Sequence, residues 1–79
     1  MNEFFVSLTS VEDVRHFVDA ASRRLCEIDV LSGRYVVDGK SIMGLFSLDL
    51  AHPAKVKVYG TQEEADAFRT EGAALVTEP

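Results

Sequence analysis

The spacing of the apolar residues changes from segment to segment, and this change most constrains the fold. The first segment, Glu3 to Leu8, is rich in aromatic and β-branched residues, which is typical of a strand. From about Val11 to Leu25 the apolar residues recur every three or four positions, which predicts a helix capped by Thr9 or Ser10. The predicted core-facing stripe of this helix is Val11, Val14, Val18, Ala21 and Leu25.

The next segment has the pattern of a β-hairpin. Apolar and acidic residues alternate from Cys26 to Val30, and a period of two predicts a half-buried strand. Ser32-Gly33 is a turn signal, and Arg34 to Val37 is the predicted return strand. Asp38-Gly39 ends it.

The second half predicts a short apolar helix from Ser41 to Leu48, a break at His52-Pro53, and a strand in which Val56 and Val58 alternate with lysines before Gly60. The order β-α-β-β-α-β-α follows once a final helix is added. It predicts an α+β fold, with one antiparallel sheet and the helices on one of its faces.

The final helix is predicted from a capping box, Thr61-Gln62-Glu63-Glu64. In such a box the threonine oxygen accepts from the N–H three residues later, and the glutamate reaches back. Gly72 is a weak point in this helix. Its predicted apolar residues are Ala65, Phe68, Ala74 and Leu75.

Composition limits the kinds of function. With 79 residues, of which 47% are apolar, we expect residues 1–79 to form one small domain. A net charge of −5 with eight Lys and Arg argues against nucleic acid or an anionic membrane as partner. The single Cys26 permits no internal disulfide, and no apolar run is long enough for a signal peptide or a membrane span. A cytoplasmic protein without a cofactor is expected.

The segment Gly39-Lys40-Ser41-Ile42-Met43-Gly44-Leu45-Phe46-Ser47-Leu48 resembles the helix after the second hairpin of HPr. HPr is the histidine-containing phosphocarrier protein of the bacterial sugar phosphotransferase system. Val18-Asp19-Ala20-Ala21-Ser22 resembles the family's Val-x-x-Ala-Ser segment and precedes Ser41 at the family's separation. The resemblance covers nearly the whole chain and departs most between residues 7 and 16. It implies an open-faced sandwich, a four-stranded antiparallel sheet covered on one face by three helices.

The family's active-site signature, Gly-Ile/Leu-His-Ala-Arg-Pro-Ala, does not occur in this sequence. Counting back from Val18, the family's histidine corresponds to Ser10, its arginine to Glu12 and its proline to Asp13. In the family the histidine accepts phosphate at a helix N-terminus and the arginine neutralises it, whereas Glu12 would repel it. The resemblance therefore implies an HPr-like domain without its phosphoryl-accepting histidine, and no catalytic activity is expected.

Ser41 is the candidate regulatory site. In one branch of the family a kinase phosphorylates the matching serine, and the resemblance is to that branch. A phosphoserine at a helix N-terminus adds about −1.5 to −2 charges, which the helix dipole and the neighbouring Lys40 favour. The simpler alternative is that Ser41 only caps the helix.

Ile42, Met43 and Phe46 are, with Lys40, the candidate partner-binding residues. At their spacing they cannot all share the core-facing stripe of Leu45 and Leu48, so some are expected to form an exposed apolar patch. In the family this helix docks on partner proteins. The alternative is a small core that uses nearly every apolar residue.

Other candidate sites are weaker. Gly39-Lys40-Ser41 looks like the end of a phosphate-binding loop, but Arg34 stands where that loop needs a glycine. His16 is expected to face solvent between Glu12 and Asp19. His52 and Cys26 have no metal-site spacing, so no metal site is predicted.

Three functions remain open. The first is a non-catalytic regulatory or protein-binding module whose partners are phosphotransferase-system components or a serine kinase. The second is a working phosphocarrier whose acceptor has moved to a group such as His16. The third is a structural interaction domain unrelated to sugar uptake. We favour the first, because histidine, arginine and proline are lost together.

Overall fold

Strands and helices follow the predicted order, with one further strand at the end. The computed structural model describes residues 2–79, and its α+β architecture confirms the predicted fold class. A 3-10 turn, Ala73–Leu75, precedes the last strand. In chain order the elements are β1 (Asn2–Val6), α1 (Val11–Ser22), β2 (Glu27–Ser32), β3 (Tyr35–Asp38), α2 (Ile42–Phe46), β4 (Ala54–Tyr59), α3 (Gln62–Glu71) and β5 (Val76–Thr77).

The sheet has five antiparallel strands in the order β3-β2-β4-β1-β5, so the predicted count of four strands was wrong. The fifth strand arises because α3 ends at Glu71, and the 3-10 turn then leads the chain back along β1. The Ser7 N–H donates to the Leu75 carbonyl over 2.8 Å, and Val76 pairs with Val6. A two-residue strand is too short to reveal a period in the sequence.

The predicted final helix was correspondingly too long. Leu75 is buried, but it belongs to the 3-10 turn, and Ala74 is exposed. The Thr61 hydroxyl caps α3 by accepting from the Glu64 N–H over 3.1 Å, as predicted. The Glu64 carboxylate lies 3.6 Å from the Arg24 guanidinium, across the junction with α1.

The core lies between the sheet and the helices. Alternate residues of β1, β2 and β4 face α1 and α3, and the rings of Phe4 and Phe17 both contact that of Phe68, with centroids 5.8 and 5.3 Å apart. The buried strand residues are Phe4, Val6, Ile28, Val30, Ala54, Val56 and Val58.

The predicted stripe of α1 was only partly right. Val14 and Ala21 are buried, and Val18 packs against the core from a half-buried position. Leu25 is 95% exposed, because the helix ends at Ser22 and Leu25 lies in the turn beyond it. Val11 is also exposed, and Phe17, outside the predicted stripe, is buried. No helix among residues 2–79 combines the length and apolar character needed to cross a membrane.

Candidate functional site

Ser10 caps the N-terminus of α1. Its backbone is extended (φ −144°, ψ 165°), and its hydroxyl accepts from the Asp13 N–H over 3.1 Å. The Asp13 carboxylate points back and accepts from the Thr9 N–H over 3.0 Å and from the Thr9 hydroxyl over 3.1 Å. Side chains of the chain itself therefore accept from two N–H groups at this helix end, those of Thr9 and Asp13.

These hydrogen bonds favour the ionised form of the Asp13 carboxyl. The Thr9 backbone N–H, followed by the Thr9 hydroxyl, holds the pKa of the Asp13 carboxyl below its ordinary value of 3.8. Glu12 adds a second, exposed carboxylate, 3.9 Å from Arg15. The end of α1 thus carries two carboxylates, which repel an approaching phosphoryl group.

His16 is exposed on α1, as the sequence predicts, and its ring contacts the backbone of α3. Its Nε2 lies 3.1 Å from the Glu71 carbonyl oxygen. A carbonyl oxygen can only accept, so Nε2 donates in this contact and Nδ1 takes no part in it.

Ser41 caps α2. Its hydroxyl accepts from the Gly44 N–H over 3.1 Å, and its side chain is half-buried. A Cβ atom at position 44 would lie 3.2 Å from both the Ser41 hydroxyl and the Val37 Cβ, which accounts for the glycine there.

Lys40 is tied to the end of α1 and does not extend freely into solvent. Its ammonium donates to the Arg24 carbonyl over 2.7 Å, and its backbone N–H donates to the Asp38 carboxylate over 2.9 Å. A cation at the carbonyl end of a helix is stabilised by the helix dipole, so Lys40 joins α1 to the start of α2.

The remaining side chains of α2 divide into two faces. Leu45 and Leu48 are buried, whereas Met43 is 76% exposed, Phe46 is 46% exposed, and Ile42 is partly exposed. Some of these three residues were expected to be exposed, and all three reach the surface.

An open groove of about 520 Å³ is lined by residues of both α1 and α2, and we call it the α1–α2 groove. Ser10 and Phe46 both line it. Sequence reasoning missed Val11, which it assigned to the core, as well as Leu50 and Ala51. Val11 fits the helical period of α1, but a periodic pattern does not show that the first turn of the helix borders a groove. The lining residues are Leu8, Thr9, Ser10, Val11, Val14, Phe46, Leu50 and Ala51.

A second cavity, of about 500 Å³, lies between the β2–β3 turn and the chain after α2. His52 lines it together with Arg34, Tyr35 and Asp49. Within residues 2–79 no group of three or more His, Cys, Asp or Glu side chains is placed to hold a metal ion.

These features define a class: a small α+β open-faced sandwich whose candidate site lies where the N-terminus of the first helix meets the second helix across a groove. A family model described as "PTS HPr component phosphorylation site" matches residues 13–78. The chain therefore belongs to the HPr family, as the sequence resemblance indicated. The match begins at Asp13, so Ser10 and Glu12 lie outside it.

Solved structures agree on the fold. HPr-C-His from Thermoanaerobacter tengcongensis is 24% identical and superposes with a TM-score of 0.79 over 95% of this chain and 91% of that one. The phosphocarrier protein HPr from Bacillus anthracis str. Ames is also 24% identical, with a TM-score of 0.73 over 94% and 93%. No curated protein sequence gives a significant match.

Proposed function

We propose that this HPr-family chain is a cytoplasmic, non-catalytic regulatory or protein-binding module. The observation that carries the proposal is the Asp13 carboxylate, which accepts both hydrogen bonds from Thr9 at the N-terminus of α1. A phosphocarrier needs this position for the phosphate that it accepts. Here the negatively charged Asp13 carboxylate of the chain itself occupies this position.

The neighbouring groups are equally unsuited to phosphoryl transfer. Ser10 aligns with the family's histidine, and its hydroxyl is the cap of α1, accepting from the Asp13 N–H. Glu12 supplies negative charge where the family's arginine neutralises the phosphate. Transfer to this site would lack the imidazole acceptor and the arginine counter-charge of the family motif.

The same groove suits a protein partner. Phe46 and Val11 line it with exposed apolar surface, and Met43 adds exposed apolar surface on α2. Met and aromatic side chains are enriched at protein interfaces. The partner that fits carries apolar side chains for the groove and positive charge opposite Glu12 and Asp13. Components of the phosphotransferase system are the proposed partners.

Ser41 is the proposed point of regulation by a serine kinase. It borders Ile42 and Met43, so a phosphate there would place charge at the edge of the apolar surface. Phosphorylation replaces the hydroxyl hydrogen and keeps Oγ, so either Oγ or a phosphate oxygen can accept from the Gly44 N–H. The proposal rests on the family resemblance together with the capping position.

The test is phosphorylation with phosphoenolpyruvate and the first enzyme of the system, with an intact HPr as positive control. We expect no phosphohistidine on this protein. The matched variant rebuilds the family residues with Ser10→His, Glu12→Arg and Asp13→Pro. Acceptance of phosphate by this variant alone would identify the three replaced residues as the cause.

The relocated-acceptor alternative makes the opposite prediction. It draws support from the His16 ring, whose Nε2 donates to the Glu71 carbonyl while Nδ1 takes no part in that contact. An acid-labile phosphohistidine on the wild-type protein that disappears in His16→Ala would overturn the non-catalytic proposal. Mass spectrometry under neutral conditions distinguishes the two outcomes.

A further inference from the structure

The two edge strands of the sheet differ in how well they are protected against pairing with a further strand. At one edge β5 has only two residues, and Pro79, which has no N–H to donate, follows two positions later. At the other edge β3 has four residues, of which Tyr35 is 71% exposed and Val36 is 57% exposed. An apolar edge strand without lysine or proline is a template for a further strand.

The backbone groups of β3 alternate in direction. The Gly39 N–H donates to the Ile28 carbonyl over 2.7 Å, so these two residues form a hydrogen-bonded pair in the β2–β3 ladder. In an antiparallel ladder such pairs recur at every second residue, which assigns Val37 and Tyr35 to the same set. The N–H and C=O groups of Val36 therefore point away from β2, toward the free edge.

An acidic residue, Asp38, ends β3, and a basic residue, Arg34, precedes it. Asp38 lies directly opposite Asp29 of β2, and like charges in that arrangement are unfavourable. One Asp38 oxygen accepts from the Lys40 N–H, which leaves the other for a further donor. At the other end of the strand, Arg34 makes no ion pair with any of residues 2–79.

We propose that β3 pairs antiparallel with β3 of a second copy of this chain, with Val36 opposite the partner's Val36. In this register the outward-facing backbone groups of Val36 meet their counterparts. Arg34 of each copy lies opposite the partner's Asp38, at a Cβ separation of about 5.5 Å, within reach of an ion pair. Tyr35 lies opposite the partner's Val37, an aromatic and β-branched pair.

A second copy suits this edge better than an unrelated strand because the charges are self-complementary. The two-fold axis through Val36 repeats the Arg34–Asp38 pair on both sides, and each guanidinium relieves the opposition of Asp38 and Asp29. Only five residues of each copy, Arg34 to Asp38, form this interface, so the dimer is weak and dissociates on dilution. The α1–α2 groove lies outside this contact and does not depend on it.

Sedimentation equilibrium of the full chain over about 10 μM to 1 mM tests the proposal, a range that covers weak reversible association. We expect a monomer–dimer equilibrium in the wild type. Arg34→Asp alone and Asp38→Arg alone should each weaken dimerisation about tenfold or more, and the double variant should recover it because the charges are exchanged.

Val36→Pro removes the outward N–H and keeps the ladder to β2, so it should abolish the dimer while far-ultraviolet circular dichroism shows a folded protein. Phe46→Glu is the control at the groove and should leave the dimer intact. A monomer at all concentrations would overturn the proposal. So would a dimer that Phe46→Glu disrupts and the charge variants do not.

Discussion

The Asp13 carboxylate accepts hydrogen bonds from both the backbone N–H and the hydroxyl of Thr9, at 3.0 and 3.1 Å. Through these contacts the chain itself places a negative charge, that of Asp13, at the N-terminus of α1. The HPr-family position that the resemblance assigns to a phosphoryl acceptor, Ser10, serves as the cap in the same network.

The Asp13 network should make stability depend on pH. Hydrogen bonds to Thr9 lower the pKa of Asp13 in the folded state, so its stabilising effect is present above the unfolded value of about 3.8. It is lost as the pH falls through the lower folded value. We expect Asp13→Asn to melt at a lower temperature than wild type near pH 7, with a difference that shrinks in acid. Glu12→Gln is the control. An unchanged difference at low pH would contradict this assignment.

Neighbouring residues of α2 should respond differently to substitution. Leu45 is completely buried, so Leu45→Ala should lower the free energy of unfolding by about 2–5 kcal/mol. Phe46→Glu should melt close to wild type and lose capture of a phosphotransferase-system partner, because Phe46 lines the α1–α2 groove. Urea denaturation and a binding assay separate the two effects. If Phe46→Glu unfolds the protein, Phe46 belongs to the core and the docking proposal loses its main support.

Gly39 should not tolerate a side chain. A Cβ atom there would lie 2.7 Å from the Ile28 Cγ2 and 3.1 Å from the Ile28 carbonyl oxygen, in the loop that leads to Ser41. We expect Gly39→Ala to lower the free energy of unfolding by about 1–3 kcal/mol. At Gly72 the nearest atom would be 3.5 Å away, an ordinary contact, so Gly72→Ala should change stability by less than about 1 kcal/mol. Equal effects in urea denaturation would be evidence against the close approach.

Arg24 should matter more than its neighbour Arg23. The half-buried Arg24 lies 3.6 Å from Glu64 and 2.9 Å from Glu71, so it joins α1 to α3 through two carboxylates. We expect Arg24→Ala to lower the free energy of unfolding by about 1–3 kcal/mol, since it leaves Glu64 partly buried without its partner.

Arg23 is largely exposed and pairs with Glu71 alone, so Arg23→Ala should cost less than about 1 kcal/mol. Thermal melts of the two variants at low and high salt provide the comparison. A larger loss from Arg23→Ala would mean that the pairing of Arg24 adds little to the helix junction.

The sequence alone predicted most of the element order and the family. Apolar residues that repeat at a fixed period predict whether a segment is a helix or a strand, as Val56 and Val58 do for the strand β4. Local chemistry also predicted the caps of α2 and α3, because Ser41 and Thr61 act on N–H groups three residues away. Such contacts lie within one turn of chain and need no tertiary information.

The tertiary structure decided which parts of these segments are buried and which meet. Val11 fits the helical period of α1 but lies over a groove, whereas Phe17 outside the expected stripe fills the core against Phe68. The strand β5 exists because β1 offers it an unpaired edge, and Lys40 is held by Arg24 sixteen residues earlier in the chain. The sequence determined the caps and periods because these depend on neighbours along the chain. The groove, the fifth strand and the ion pairs between helices depend on packing between distant segments, which only the fold brings together.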